Sequence, residues 1–146
     1  MFNSTELKNG AIGGLAGGVV FGIMMGVMGM LPMIGKMVGH AYALTGFLVH
    51  MVISAVIGIV FAIAFGKVVT AVRNGIGFGI GYGVIWWVLG PLTLMPLMMG
   101  MDFGVNWNAA AATKMLPSLM GHVIFGVVLG ASYAALEKRK RQLVTA

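Results

Sequence analysis

Four apolar stretches, at positions 11–31, 44–65, 75–97 and 116–136, dominate this chain of 146 residues. Each is close to the ~20 residues that carry an α-helix across ~30 Å of hydrocarbon. The rest of the chain cannot cover such stretches from water: 60% of all residues are hydrophobic and 8% are charged, against about a quarter charged in an ordinary soluble domain. The expected fold is an all-α membrane protein, a single transmembrane domain of four helices followed by a basic tail at 137–146. Lys8 precedes the first stretch without a convincing small-residue cleavage site after it, so an uncleaved first helix is expected.

Charge placement sets an expected orientation. Lys8, the loop residues Lys67 and Arg73, and the run Lys138, Arg139, Lys140 and Arg141 fall on one side of the four crossings. Only Lys36 and Lys114 fall on the other. Cytoplasmic segments are enriched in Lys and Arg, which puts both termini in the cytoplasm. The basic run also suits anionic lipid headgroups. The net charge of +6 does not point to nucleic acid, because no aromatic-basic surface accompanies it.

The chain aligns with itself. Gly17, Gly26 and Pro32 match Gly81, Gly90 and Pro96 at one shift, and His50, Gly58 and Ala62 match His122, Gly130 and Ala134 at a slightly larger one. The repeating unit is a helical hairpin. Because each copy crosses twice, two tandem copies run parallel, related by an axis along the membrane normal.

Small residues recur at four-residue spacing: Gly14, Gly18, Gly22 and Gly26 in the first stretch, Ser54, Gly58 and Ala62 in the second, and Gly126, Gly130 and Ala134 in the fourth. The third carries Gly75, Gly79 and Gly83, overlapped by Gly77 and Gly81. Lipid tails are as apolar as leucine, so such helices associate through close backbone approach. Some stripes are expected as seams within the bundle. A surplus stripe would face other membrane subunits or a second copy of the chain.

Unusual chemistry concentrates on the side opposite the termini. His50 and His122 begin the second and fourth helices at equivalent repeat positions, and His40 lies in the adjoining loop. Met30, Met33, Met37, Met95, Met98, Met99, Met101, Met115 and Met120 surround them. Thioether and imidazole are ligands that suit Cu(I), and a histidine pair can also hold a haem iron. His50, His122, His40, Met33 and Met98 are therefore candidate metal ligands. The competing expectation is structural: methionine fills irregular gaps, and each histidine can pin a helix end by hydrogen bonding.

No catalytic constellation is present. The chain has no cysteine, no HExxH zinc motif, no carboxylate pair and no phosphate loop, and the glycine run from Gly75 sits in an apolar helix with no strand before it. A non-enzymatic role is expected.

The segment WWVLGPLTLMPLMMGMDFG and the helix LMGHVIFGVVLGASYAAL, with His122, Phe125, Gly126 and Gly130 in the pattern H-x-x-[FY]-G-x-x-x-G, resemble the YagU-like family of small four-helix inner-membrane proteins. The resemblance covers the second half of the chain. It implies a four-helix fold in a bacterial or archaeal cytoplasmic membrane and adds little about function.

Three functions are compatible with these features. The first is helix–helix association, as an accessory or assembly subunit of a larger membrane complex or as a self-associating scaffold, with no cofactor. The second is an outer-face copper or haem protein linked to a respiratory or oxidase system. The third is a channel or carrier for a small neutral solute.

Overall fold

In a computed structural model, which describes residues 3–145, polar residues extend the first helix at its N-terminal end and the last at its C-terminal end beyond their apolar stretches, while the first ends short of Leu31. Helix α1 runs Ser4–Val27. It starts well before the apolar run because Asn3 and Glu6 form a capping box: the Asn3 side chain accepts the Thr5 N–H at 3.1 Å and Glu6 accepts the Asn3 N–H at 3.2 Å. Gly29, at φ 67°, turns the chain after α1. The short α2, Leu31–Lys36, opens at Pro32, which needs no N–H partner in a first turn. Helix α3 spans Ala43–Phe65 and α4 spans Val72–Leu89.

The fourth helix continues into a π-helical turn at Gly90–Leu94 and then α5, Met95–Met98. Pro91 has no N–H to give to an α-helical ladder, and the helix widens here into a π-helical turn. Thr93 supports it, its hydroxyl donating to the Val88 carbonyl at 2.7 Å. A short helix in the next connection, α6, spans Ala109–Lys114 and is capped by Asn108, which accepts the Ala111 N–H at 2.9 Å. The last helix, α7, spans Leu116–Thr145. Among the described residues there is no strand.

Four of these segments are long and apolar enough to cross a membrane: Ser4–Val27, Ala43–Phe65, Val72–Met98 and Leu116–Lys140. Their outer faces agree, with Ile23, Leu44 and Val52 between 61% and 71% exposed. A continuous apolar exterior of this kind is at home in hydrocarbon and not in water. Both termini and the α3–α4 turn lie at one end of the bundle, the proximal end. The connections carrying α2 and α6 lie at the other, the distal end.

Glycine decides which helices touch. Gly10, Gly14 and Gly18 of α1 pack against Gly58 and Ser54 of α3, and a Cβ at any of them would press into backbone or Ser54. Gly75, Gly79 and Gly83 of α4 do the same against Gly130, Gly126 and His122 of α7. A third seam joins α1 to α7, where Gly13 and Gly17 admit Leu129 and Phe125, and Gly121 admits Phe21. Helices α3 and α4 share no such seam. They meet through aromatic rings: Phe65 stacks on Phe78 with centroids 5.2 Å apart, and Phe61 meets Tyr82 at 5.3 Å. The Tyr82 hydroxyl donates to the Ile57 carbonyl at 2.8 Å. The proximal half of the interior is filled, with Phe61, Leu129 and Tyr133 fully enclosed.

The tail expected at 137–146 is a continuation of α7, clamped to α1. The Asn9 side-chain amide donates to Glu137 at 2.7 Å, and Lys140 lies 3.7 Å from Glu6 and 3.8 Å from Glu137. Glu137 is buried at 6% exposure. An acid is admitted there because an amide and an ammonium meet it. Glu137→Ala is expected to cost about 1–3 kcal/mol, because it strands the Asn9 amide. Lys140→Ala, which removes a partly exposed pair, is expected to cost no more than about 1 kcal/mol. Thermal melting in detergent checks both.

Candidate functional site

Holding α3 and α4 apart on bulky rings leaves space in the distal half. A cavity of about 380 Å³ opens there, lined from every crossing: Phe21 and Met25 of α1, His50, Ile53, Ser54 and Ile57 of α3, Trp86 of α4, and Ser118, His122 and Phe125 of α7. The π-helical turn contributes Gly90, Pro91 and Leu94, and the distal connections contribute Met30, Met33, Ile34, Met37, Met95, Met98 and Met115. No Asp, Glu, Lys or Arg is in this wall. Seven of the chain's 14 methionines are.

The two histidines are fixed by their own surroundings. The Nε2–H of His50 donates to the Gly18 carbonyl at 3.0 Å, a contact possible because Gly18 brings α1 close. The Nδ1–H of His122 donates to the Ser118 carbonyl one turn earlier, at 2.8 Å. A carbonyl oxygen only accepts, so each bond selects a tautomer. In the neutral rings the lone pair stays on Nδ1 of His50 and on Nε2 of His122. Phe21 links them, its ring edge-to-face with both imidazoles at centroid distances of 5.5 and 4.8 Å.

The π-helical wall is pinned from outside. Trp87 donates its indole N–H to the Met115 carbonyl at 3.1 Å, and Trp107 donates to the Thr93 hydroxyl at 3.1 Å. Trp86 faces the cavity and meets Tyr82 edge-on at 6.1 Å.

The structure brings together four of the five candidate ligands: His50, His122, Met33 and Met98 all line the cavity. His40 does not. It is exposed in the loop before α3, and its carbonyl accepts the Tyr42 N–H. Met99, Met101 and Met120 are exposed outside the wall, at 42%, 44% and 58%. Among the described residues no three His, Asp or Glu side chains come together to hold a metal ion.

Of the packing residues, Gly14, Gly18, Gly22, Ser54, Gly58, Gly126 and Gly130 all lie in helix seams, Gly22 against Phe47 and His50. Gly26 does not. It is exposed and meets only Leu31, because α1 ends one residue later and nothing crosses it there. In the basic run, Lys138 and Arg139 are exposed, Lys140 turns inward to its acids, and the side chain of Arg141 lies outside the described residues.

Sequence reasoning missed Phe21, Ser118 and the π-helical turn as parts of the site. Ser118 carries a readable signal, since it sits one helical turn before His122. Phe21 carries none, because its place between the imidazoles depends on the glycine-mediated approach of α1 to α7. No family model matches the chain, and neither a curated protein nor a solved structure matches it.

Proposed function

We propose that this chain is a non-enzymatic membrane protein that receives a ligand in its distal cavity. The observation that carries this reading is a void of about 380 Å³ bordered by seven methionines. Methionine is the side chain best able to close an irregular gap, and protein interiors are otherwise close-packed. A space left open beside so many flexible side chains has the size and apolar character of a binding site.

The orientation belongs to the same proposal. Lys8, Lys67, Arg73, Lys138, Arg139, Lys140 and Arg141 all belong to the proximal end, which the Lys/Arg bias puts in the cytoplasm. The cavity then opens on the outer side of the membrane.

The tandem hairpin repeat supplies a reason for the cavity. Gly10, Gly14 and Gly18 meet α3 as Gly75, Gly79 and Gly83 meet α7. In that packing register, which is one residue away from the sequence match of Gly17 with Gly81, Gly13, Gly17 and Phe21 of the first hairpin stand where Phe78, Tyr82 and Trp86 stand in the second. Glycine lets α7 close on α1, while rings at the corresponding places hold α3 off α4. We read the site as a two-fold broken at two places, where Phe78 and Tyr82 stand in the positions of Gly13 and Gly17.

Tryptophan fluorescence tests the binding reading. With Trp87→Phe and Trp107→Phe, Trp86 is the sole tryptophan. A small brominated hydrocarbon is expected to quench it saturably, and Leu94→Phe/Ile57→Phe, which fills the cavity, to abolish the saturation. Equal, unsaturating quenching in both proteins sinks the reading.

A second reading, association with other membrane subunits or with a second copy, keeps one specific observation. Gly77 and Gly81 of α4 are exposed, and nothing stands where their Cβ atoms would be. The channel reading has less behind it, since Phe61, Leu129 and Tyr133 fill the proximal half. Haem has less too, as the Phe21 ring occupies the space beside both imidazoles.

A further inference from the structure

The chemistry of the cavity wall narrows the class of ligand, granted the reading that the cavity binds one. We propose that the distal cavity is a Cu(I) site, with Nδ1 of His50, Nε2 of His122 and wall thioethers as the available donors.

Three observations converge on this class. The first is the state of the imidazoles. Each spends its one N–H on a backbone carbonyl, Gly18 for His50 and Ser118 for His122. What remains in each neutral ring is a lone pair, which serves a metal and cannot serve a hydrogen-bond acceptor. The Nε2 of His122 is held toward the π-helical wall, 3.8 Å from where a Cβ on Gly90 would stand. Backbone acceptors that fix the tautomer of a histidine are the usual support behind a metal ligand.

The second is the absence of anionic oxygen ligands. The wall contains no carboxylate, so Ca²⁺, Mg²⁺ and Mn²⁺ find nothing to replace their water. Zn²⁺ would need more than two imidazoles from a set that offers no thiolate and no acid. A monovalent, soft ion accepts neutral thioether and imidazole donors, and among biological metals that describes Cu(I).

The third is the rim. Met98, Met99 and Met101 are 60%, 42% and 44% exposed, and Met98 also borders the cavity. Soft donors thus continue from the distal surface through Met98 and Met95 to the imidazoles, giving an ion a path on which it is not released to hard solvent. The filled proximal half gives no matching exit on the other side, so the arrangement suits capture and hand-over on one face of the membrane.

The test is anaerobic titration of the full chain in detergent with Cu(I), in competition with a chromophoric Cu(I) chelator, followed by X-ray absorption at the copper edge. About one tightly held equivalent is expected, with both nitrogen and sulfur neighbours. Met33→Leu/Met95→Leu/Met98→Leu keeps side-chain volume and hence the fold, and is expected to weaken binding at least about ten-fold with unchanged melting. His122→Phe is expected to lower the nitrogen share of the scattering, leaving that of His50, while His40→Ala changes nothing. Full affinity in both the triple variant and His122→Phe overturns the proposal. So does a protein that ignores Cu(I) but still shows saturable quenching of Trp86, an outcome that retains the cavity as an apolar-ligand site. Failure of both measurements removes the binding reading as well.

Discussion

Gly79→Ile is expected to unfold the second hairpin, whereas Gly77→Ile, two residues away on the same helix, leaves stability within about 0.5 kcal/mol of the parent. The Cβ of residue 79 would be driven into the backbone of Gly126, and backbone cannot turn aside as a side chain can. Helices α4 and α7 would have to separate along their whole contact, losing the dispersion that holds them together in a solvent as apolar as themselves. Overpacking of a side-chain core costs about 1–3 kcal/mol, and a clash between two main chains belongs at or above the top of that range. Position 77 faces open space. Thermal melting or chemical denaturation in detergent separates the two variants, and equal destabilisation would show that the α4–α7 seam is not where the structure has it. If Gly77 faces a partner, Gly77→Ile lowers energy transfer between labelled copies in liposomes without moving the melting temperature.

Phe61→Ala is expected to be the second most damaging substitution, at about 3 kcal/mol or more. Phe61 is fully enclosed, and its ring meets Phe65, Tyr82 and Tyr133 at centroid distances between 5.2 and 5.7 Å. Removing it opens a hole where three helices converge, α3, α4 and α7. In hydrocarbon the penalty comes from lost contacts more than from transfer out of water, so it is read best against Phe61→Leu, which restores much of the volume. Phe61→Leu should recover at least half of the loss. A Phe61→Ala protein that melts with the parent would mean that the aromatic cluster does not hold α3 and α4 in register.

The four crossings were legible from the sequence because span length and hydropathy are local properties, and α3 begins and ends within a residue of its apolar run at 44–65. The ends of α1 and α7 were not. The box at Asn3 and Glu6 and the pairing of Asn9 with Glu137 depend on polar residues that look like flanking loop, and the second joins positions 128 apart. Glycine spacing picked out Gly14, Gly18 and Gly22 of α1, Gly58 of α3 and Gly126 and Gly130 of α7, missed Gly10, Gly13, Gly17 and Gly121, and could not choose between the two overlapping sets on α4. Only the partner helix shows that Gly75, Gly79 and Gly83 are inside while Gly77 and Gly81 are outside.

The site was half legible. A clustering of methionine and histidine at one end of the bundle follows from counting residues along an up-and-down chain, and His50, His122, Met33 and Met98 do share one wall. His40 sits as near in sequence but leaves the cluster, because the loop before α3 turns at it and leaves it exposed. The void itself could not be read. It exists because Phe78 and Tyr82 project at the one helix pair that lacks a glycine seam, and a sequence does not say which residues a ring will oppose.

The most direct measurement is an experimental density map of the chain in lipid nanodiscs, viewed between His50 and His122. An open distal cavity is expected, with α3 and α4 held apart by Phe65, Phe78 and Tyr82, and density within it that solvent does not explain. A distal half closed by inward-turned methionines, with α3 against α4, would contradict this arrangement.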